Sequence, residues 1–272
     1  MPSIDTALGN FTAVVITGGS SGIGKSFIEL IGKHCPKMSI CNLSRRQPVI
    51  INSKLTLRHF PCDLSVSSQV DEAIEAVGQY LEKEVPEGRV LLVNNSGFGV
   101  YGSFAETSGS QQLEMVDVNV RAVLQLTAGF LPTLRKRGGA VVTIASVAAF
   151  QPTPYLATYG ATKAFVLSWS LALNEELRGS GVTALAVCPG PTSTQFFERA
   201  GLEPGSVPDS LGQTSEEVVE ATLRALAGGK SMVVSGWKNK VMASLGSLFP
   251  KPLVSRVSAW ALRRYRLKQV KR

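Results

Sequence analysis

The sequence predicts an α/β fold: one domain on a doubly wound parallel sheet, followed by a basic helical extension. Three observations carry this. Short β-branched apolar runs alternate with amphipathic helical stretches over residues 11 to 235. A glycine-rich turn, TGGSSGIG at Thr17 to Gly24, joins the first run to the first helix. Polar residues gather just past the ends of the runs, where ligands sit in sheets of this kind.

Taken in order, TAVVIT at 12 to 17 is the first strand and KSFIELIGKH reads as the helix after the turn. Within the turn, Gly18 permits the tight bend, Gly22 lets backbone approach a phosphate and Gly24 permits close helix contact, with Ser20, Ser21 and Ile23 between them. The N–H groups of a helix N-terminus favour an anion at that point. A plain turn is the bland alternative, and the strand–turn–helix context argues against it. The architecture is thus Rossmann-type.

MSICNL is the second strand, and it ends in Ser44, Arg45 and Arg46. An acid here would take a ribose diol, whereas arginines accommodate a 2′-phosphate, so the pair favours NADP over simple solvated charge. A third strand near Thr56 to Phe60 leads to Cys62, Asp63 and Leu64, and residues 67 to 83 have helical spacing. RVLLVNNSG is the fourth strand and ends in Asn94, Asn95, Ser96 and Gly97. Residues 111 to 136 make a long helix whose Asn119 nothing in the pattern singles out.

The strand AVVTIAS ends at Ser146, and the helix that follows carries Tyr159 and Lys163 before stopping at Gly179. Four residues apart on a helix, the two side chains share a face. A nearby ammonium favours the phenolate, which would bring Tyr159 into the range of a general acid/base. Ser146, thirteen residues earlier at a strand end, faces the same place. Alone this spacing is a weak signal; the glycine turn and the arginines give it a context. A sixth strand, VTALAVC, runs into Pro189, Gly190, Thr192 and Thr194.

With these motifs in order and at matching spacing, residues 11 to 235 resemble the short-chain dehydrogenase/reductase family. Ser96 is a small departure, standing where the family usually has Ala. The resemblance implies that Tyr159 is the acid in carbonyl reduction, that Ser146 holds the substrate oxygen, and that Lys163 binds the nicotinamide ribose. It further implies a relay water at Asn119, adenine contacts from Asp63 and Leu64, a bordering role for Asn94, and Thr192 or Thr194 near the nicotinamide amide. NADP (NADPH) is the cofactor expected, with no metal, and a homo-oligomer, dimer or tetramer, is expected too. A nonenzymatic dinucleotide-binding sensor or scaffold on the same fold is the alternative; a sensor has no use for the Ser146, Tyr159 and Lys163 set.

Between Gly190 and Thr214 the sequence turns irregular, which suggests a substrate lid with Phe196 and Phe197 as apolar walls and a hydrophobic ketone or aldehyde as substrate. A helix from TSEEVVEATLRALAGG and a last strand, SMVVSG, close the domain at about residue 236. The four cysteines have neither metal nor disulfide spacing and read as reduced core thiols in a cytoplasmic protein, and no secretory signal or apolar run of about 20 residues is present.

The net charge of +8 is uneven. Residues 230 to 272 hold eleven Lys/Arg and no acid, so the first 229 carry seventeen basic against twenty acidic, a net −3. The extension, 237–272, reads as two helical stretches around Pro250 and Pro252. The second puts Leu253, Val254, Val257, Trp260, Ala261 and Tyr265 on one side and Arg256, Arg263 and Arg266 opposite, with Arg264 and Lys268 intruding. Such a helix can lie on an anionic membrane, bind a helical partner, or pack on its own domain or a sister subunit. Nucleic acid is disfavoured, since a basic tail alone lacks a reading motif.

Overall fold

A computed structural model of the chain describes residues 3–50, 55–202 and 212–265. Its centre is a seven-stranded, wholly parallel sheet formed by β1 (Phe11–Thr17), β2 (Ser39–Ser44), β3 (Thr56–Pro61), β4 (Arg89–Asn94), β5 (Gly139–Ile144), β6 (Val182–Cys188) and β7 (Met232–Val234). The spatial order is β3-β2-β1-β4-β5-β6-β7. The central strands are buried on both faces, so their sequences are continuous apolar runs rather than alternations.

Helices cover the sheet on two sides. On one face, α1 (Ile4–Leu8), α2 (Gly22–His34) and α8 (Ser215–Ala227) pack Leu8, Phe27, Ile31, Val218 and Leu223 against Ile16 and Val93. On the other, α3 (Ser67–Glu84), α5 (Ala122–Arg137) and α6 (Ala157–Glu176) bring Val77, Phe130 and Leu173 onto Val15 and Leu92. The order of the sheet reverses between β1 and β4, which makes the carboxyl ends of those strands the place where a ligand fits. The cysteines are free thiols, three of them buried.

Three features differ from expectation. The five-residue α1, with Ser3 accepting from Thr6 N at 3.1 Å, precedes the first strand and carries too few residues to show a period. The predicted helix over 111–136 is α4 (Gly109–Val116) joined to α5 through a π-turn at Asp117–Arg121. Arg121 braces that turn, donating from Nε to Asp117 Oδ1 at 2.8 Å and from Nη2 to the Ser65 carbonyl at 2.7 Å. In the irregular loop, α7 (Phe196–Arg199) is a single helical turn; residues 203–211 of the expected lid lie outside the described residues. α8 has the predicted start: Thr214 and Glu217 form a reciprocal capping box.

The extension is two helices, α9 (Trp237–Leu248) and α10 (Lys251–Tyr265). Pro252 falls in the first turn of α10, where its missing N–H costs nothing. Both helices rest on the domain: Asn239, Ala243 and Gly246 are buried, Lys251 Nζ donates to the Phe150 carbonyl at 2.6 Å, and Arg263 Nε donates to the Tyr155 hydroxyl at 3.1 Å. Arg266 and Lys268, and the side chains of Ala261, Arg264 and Tyr265, lie outside the described residues. No helix among the described residues is long and apolar enough to cross a membrane.

Phe27 and Phe130 are buried completely or nearly so on opposite faces of the sheet. Phe27→Ala and Phe130→Ala should each cost about 3–5 kcal/mol in urea unfolding; a loss below about 1 kcal/mol at either would mean that its face does not carry the packing described.

Candidate active site

A cleft of about 370 Å³ opens at the carboxyl ends of the strands. Its floor at one end is the glycine turn, with Gly18, Ser20, Ser21, Gly22 and Ile23 all on its surface. Gly18 and Gly22 have φ of +71° and +56°, the left-handed region that side chains resist. A Cβ on Gly24 would lie 2.4 Å from the Gly18 carbonyl, so the helix can start this close to the strand only without one. Ser21 makes no side-chain cap at the start of α2 and the first turn holds no acid, which leaves N–H groups and positive dipole facing the cleft. The turn is held from behind, where Gly19 N donates to Asn42 Oδ1 at 2.8 Å.

Asn95, Ser96 and Gly97 form the next wall, and Pro189, Gly190, Thr192 and Thr194 the one opposite. Thr192 donates to the Gly190 carbonyl at 3.0 Å, which ties the turn after β6 into shape. Asn94 is buried and donates to Thr127 Oγ1 at 3.0 Å, a brace between β4 and α5.

Ser146, Tyr159 and Lys163 meet at the centre. Each is nine-tenths or more buried, and each lines the cleft. Ser146 Oγ accepts from Ala148 N at 3.1 Å, which holds it at the mouth of β5 within hydrogen-bonding reach of the Tyr159 oxygen. Lys163 Nζ donates to the Ile144 carbonyl at 2.7 Å and sits 5.8 Å from the centre of the Tyr159 ring. Burial pushes the Tyr159 phenol up to about 12, with the Ser146 hydroxyl opposing, and burial pushes the Lys163 ammonium down to about 8. Lys163 does not lower the phenol as its spacing suggests, because both groups lose water and Nζ is directed at the Ile144 carbonyl.

Asn119 lies in the π-turn, almost wholly buried. Its Oδ1 accepts from Phe98 N at 3.1 Å, and its Nδ2 donates to the Phe98 carbonyl at 3.0 Å and to Thr162 Oγ1 at 3.1 Å. The side chain therefore grips the segment after Gly97 as a neighbouring strand would. A Cβ on Gly97 would come within 3.0 Å of Asn119 Oδ1 and 3.1 Å of Lys163 Nζ, so the two groups stand side by side at that glycine.

Farther out, Arg45 lies 3.7 Å from Asp63 Oδ2. Burial raises the Asp63 carboxyl, but hydrogen bonds from Ser65 and the charge of Arg45 outweigh it and hold the group below its usual value. Ser44 Oγ receives Asn42 Nδ2 and donates to the Arg46 carbonyl at 2.7 Å, fixing the bend that carries the two arginines. Leu64 is buried in the core under α3.

Several wall residues were not foreseen. Arg199 of α7 lines the cleft and donates to Ser21 Oγ at 3.4 Å, and burial together with the charges of Arg46 and Arg45 pushes its guanidinium down. Phe98, Tyr101 and Leu156 line the apolar end beside Phe196 and Phe197, and Met242 and Leu262 reach it from α9 and α10. Its place two residues after Phe197, in the loop expected to wall the substrate, is the signal in the sequence that could have pointed to Arg199.

The family model described as short chain dehydrogenase matches residues 12–204, which spans every wall named above except those from α9 and α10. The chain belongs to the short-chain dehydrogenase/reductase family. Among relatives of this short-chain dehydrogenase, an uncharacterized oxidoreductase of Bacillus subtilis, DltE, is 30% identical over 246 residues, covering 87% of this chain and 94% of its own. The ketoacyl reductase HetN of a Nostoc species is 25% identical over 265 residues, covering 91% and 88%. In structure, a short-chain dehydrogenase from Sphingobium yanoikuyae in complex with NADPH superposes with a TM-score of 0.71 at 25% identity, covering 96% of this chain and 97% of that one.

A lysine whose value falls on folding binds fewer protons when folded, so it makes stability rise with pH between about 8 and its ordinary 10.5. Tyr159, shifted upward from 10 to about 12, acts later and lowers stability over that higher interval. Urea unfolding at steps from pH 7 to 10 should therefore show wild type gaining on Lys163→Met as pH rises. Parallel profiles would show that Lys163 keeps an ordinary affinity for its proton.

Proposed function

We propose that this chain is an NADP-dependent oxidoreductase that transfers a hydride between the nicotinamide and a carbonyl or alcohol, most readily a hydrophobic ketone or aldehyde. The observation that carries this is the convergence of Ser146, Tyr159 and Lys163 in a cleft continuous with an uncapped helix N-terminus. The residues fit a dinucleotide: glycines leave the turn open where a Cβ would intrude, and the first N–H groups of α2 offer the diphosphate an anion site. When bound, that cofactor supplies the hydride taken up by the carbonyl carbon.

The chain's own part is positioning and proton transfer. Tyr159, kept protonated by burial, donates its phenolic proton to the carbonyl oxygen. Ser146 Oγ donates a hydrogen bond to the same oxygen as charge builds on it. Lys163 holds the ribose hydroxyls, and with a water at Asn119 it returns a proton to Tyr159. Asp63 and Leu64 border the adenine, Thr192 and Thr194 meet the nicotinamide amide, and Asn95, Ser96, Pro189 and Gly190 form the flanks.

Arg45, Arg46 and Arg199 favour NADP. Three guanidiniums close enough to depress the last of them are relieved by a 2′-phosphate, and β2 ends without an acid that would take a free diol. Phe98, Tyr101, Leu156, Phe196 and Phe197 make the opposite end apolar, which suits a hydrophobic substrate. Leu113 and Val116 on α4 and Phe165 on α6 are exposed, which supports a homo-oligomer joined through those helices.

Tyr159→Phe should lower NADPH-linked carbonyl turnover by about 10²–10⁴ while leaving NADPH binding nearly intact. Unchanged turnover sinks the mechanism, and a wild type that binds NADPH without reducing any of a panel of carbonyls is a sensor instead. Wild type should bind NADPH more tightly than NADH in fluorescence titration. Arg199→Ala and Arg45→Ala should each lose about tenfold for NADPH and little for NADH. Equal affinities for the two cofactors in wild type would overturn the assignment to NADP.

A further inference from the structure

The extension turns its apolar side away from the protein. On α9 the face against the domain is Asn239, Ala243 and Gly246, small and partly polar, and these are buried. Half a helical turn away run Trp237, Val241, Leu245 and Leu248, all exposed, Trp237 at 72% and Leu248 at 78%. On α10, Leu253, Val257 and Trp260 make a second exposed stripe, while Leu262 on the opposite side points into the cleft. Phe249, between the helices, is half exposed. Eight large apolar side chains on 29 consecutive positions form a patch of the kind that marks an interaction surface.

The charge around the patch says what it fits. Lys238 and Lys240 flank the α9 stripe on its two sides, and Arg256 borders that of α10 along one side, the side on which Arg263 reaches back to Tyr155. From residue 230 to the C-terminus eleven basic residues meet no acid. A second copy docked symmetrically on this face would set those cations against themselves, which is costly. An anionic bilayer satisfies both features, taking the apolar stripes into the acyl boundary and the cations into the headgroups.

We propose that α9 and α10 are a docking face for an anionic lipid bilayer, and that docking turns the mouth of the cleft to the membrane so that a membrane-dissolved carbonyl compound enters from it. Met242 of α9 and Leu262 of α10 line the cleft, so the helices that bear the patch are also its rim. The substrate half of this inference rests on the oxidoreductase reading; the docking half stands on the patch alone.

The test is flotation of the full chain with phosphatidylcholine vesicles, with and without phosphatidylglycerol, at low and high salt. Wild type should float with the phosphatidylglycerol vesicles at low salt and release as salt rises. The triple variant Trp237→Ser, Leu248→Ser, Trp260→Ser should partition at least about tenfold less. Lys238→Glu with Lys240→Glu and Arg256→Glu should lose the preference for phosphatidylglycerol while keeping the apolar stripes. Retained circular dichroism and NADPH affinity in both variants keep misfolding apart from lost docking. Wild type that stays down with anionic vesicles at low salt, or a triple variant that floats equally, overturns the docking. So does a dimer in analytical ultracentrifugation that the triple variant dissociates, with no flotation, because the face then belongs to a second copy. For the substrate half, the triple variant should keep its rate on a short, water-soluble carbonyl and lose about tenfold on a long-chain aldehyde carried in the vesicles. Equal rates on the vesicle-borne aldehyde overturn that half. Flotation without turnover of either carbonyl by wild type leaves docking in place and removes the oxidoreductase reading.

Discussion

One hydroxyl fastens the two strands on which the site depends. Thr17, the last residue of β1, accepts through Oγ1 from the backbone N–H groups of Asn95 and Ser96, each at 2.9 Å, and Asn95 Nδ2 donates back to the Thr17 carbonyl at 2.8 Å. The lock spans the switch point of the sheet, where β1 and β4 part toward opposite edges. With it in place the glycine turn begins at a fixed height above the sheet. The backbone of Gly97 then arrives where Lys163 and Asn119 need an absent side chain. Most of the cleft's geometry is thus backbone geometry, set by residues that never touch a substrate.

That explains what could be read from the sequence. Gly18 and Gly22 stand where φ is left-handed and Gly24 where a Cβ would meet the Gly18 carbonyl, positions that favour glycine strongly, so the chain announces them. Strands buried on both faces announce themselves too, as unbroken apolar runs. Asn119 was silent because a π-turn breaks the helical period that would have placed it, and only the family resemblance singled it out. The spacing of Tyr159 and Lys163 gave their proximity but not the dryness around them, and dryness decides the direction in which both titrate. Arg199 reaches the cleft from a loop whose path no periodicity encodes.

The extension was legible in pattern and ambiguous in orientation. Its stripes were visible, and the pattern left a membrane, a partner helix, a sister subunit or the domain itself open as what they meet. The small side of α9 is the one turned to the domain, with Asn239 over Gly190 and Gly246 over Gln151. Asn239 sits so close to Gly190 that a Cβ there would lie 2.1 Å from its Oδ1, and its Nδ2 donates to the Ser235 carbonyl at 2.7 Å. The first turn of α9 is therefore joined to the wall of the cleft, and the division of the chain near residue 236 is a change of composition with no slack in the structure.

The π-turn at Asp117–Arg121 has a consequence for how such a site can be lost. A π-turn holds one residue more than the α-helical course it interrupts, so removing any single residue from it would let α4 and α5 merge into one regular helix. The chain would keep its hydrogen-bonded backbone and every other side chain of the cleft, with α4 and α5 still in phase, while the residues of the turn, Asn119 among them, shifted from their bulged positions. The grip of Asn119 on Phe98 would open without a substitution at any residue that faces the cleft. Inheritance of this site is thus sensitive to the count of residues in one helix as well as to their identity.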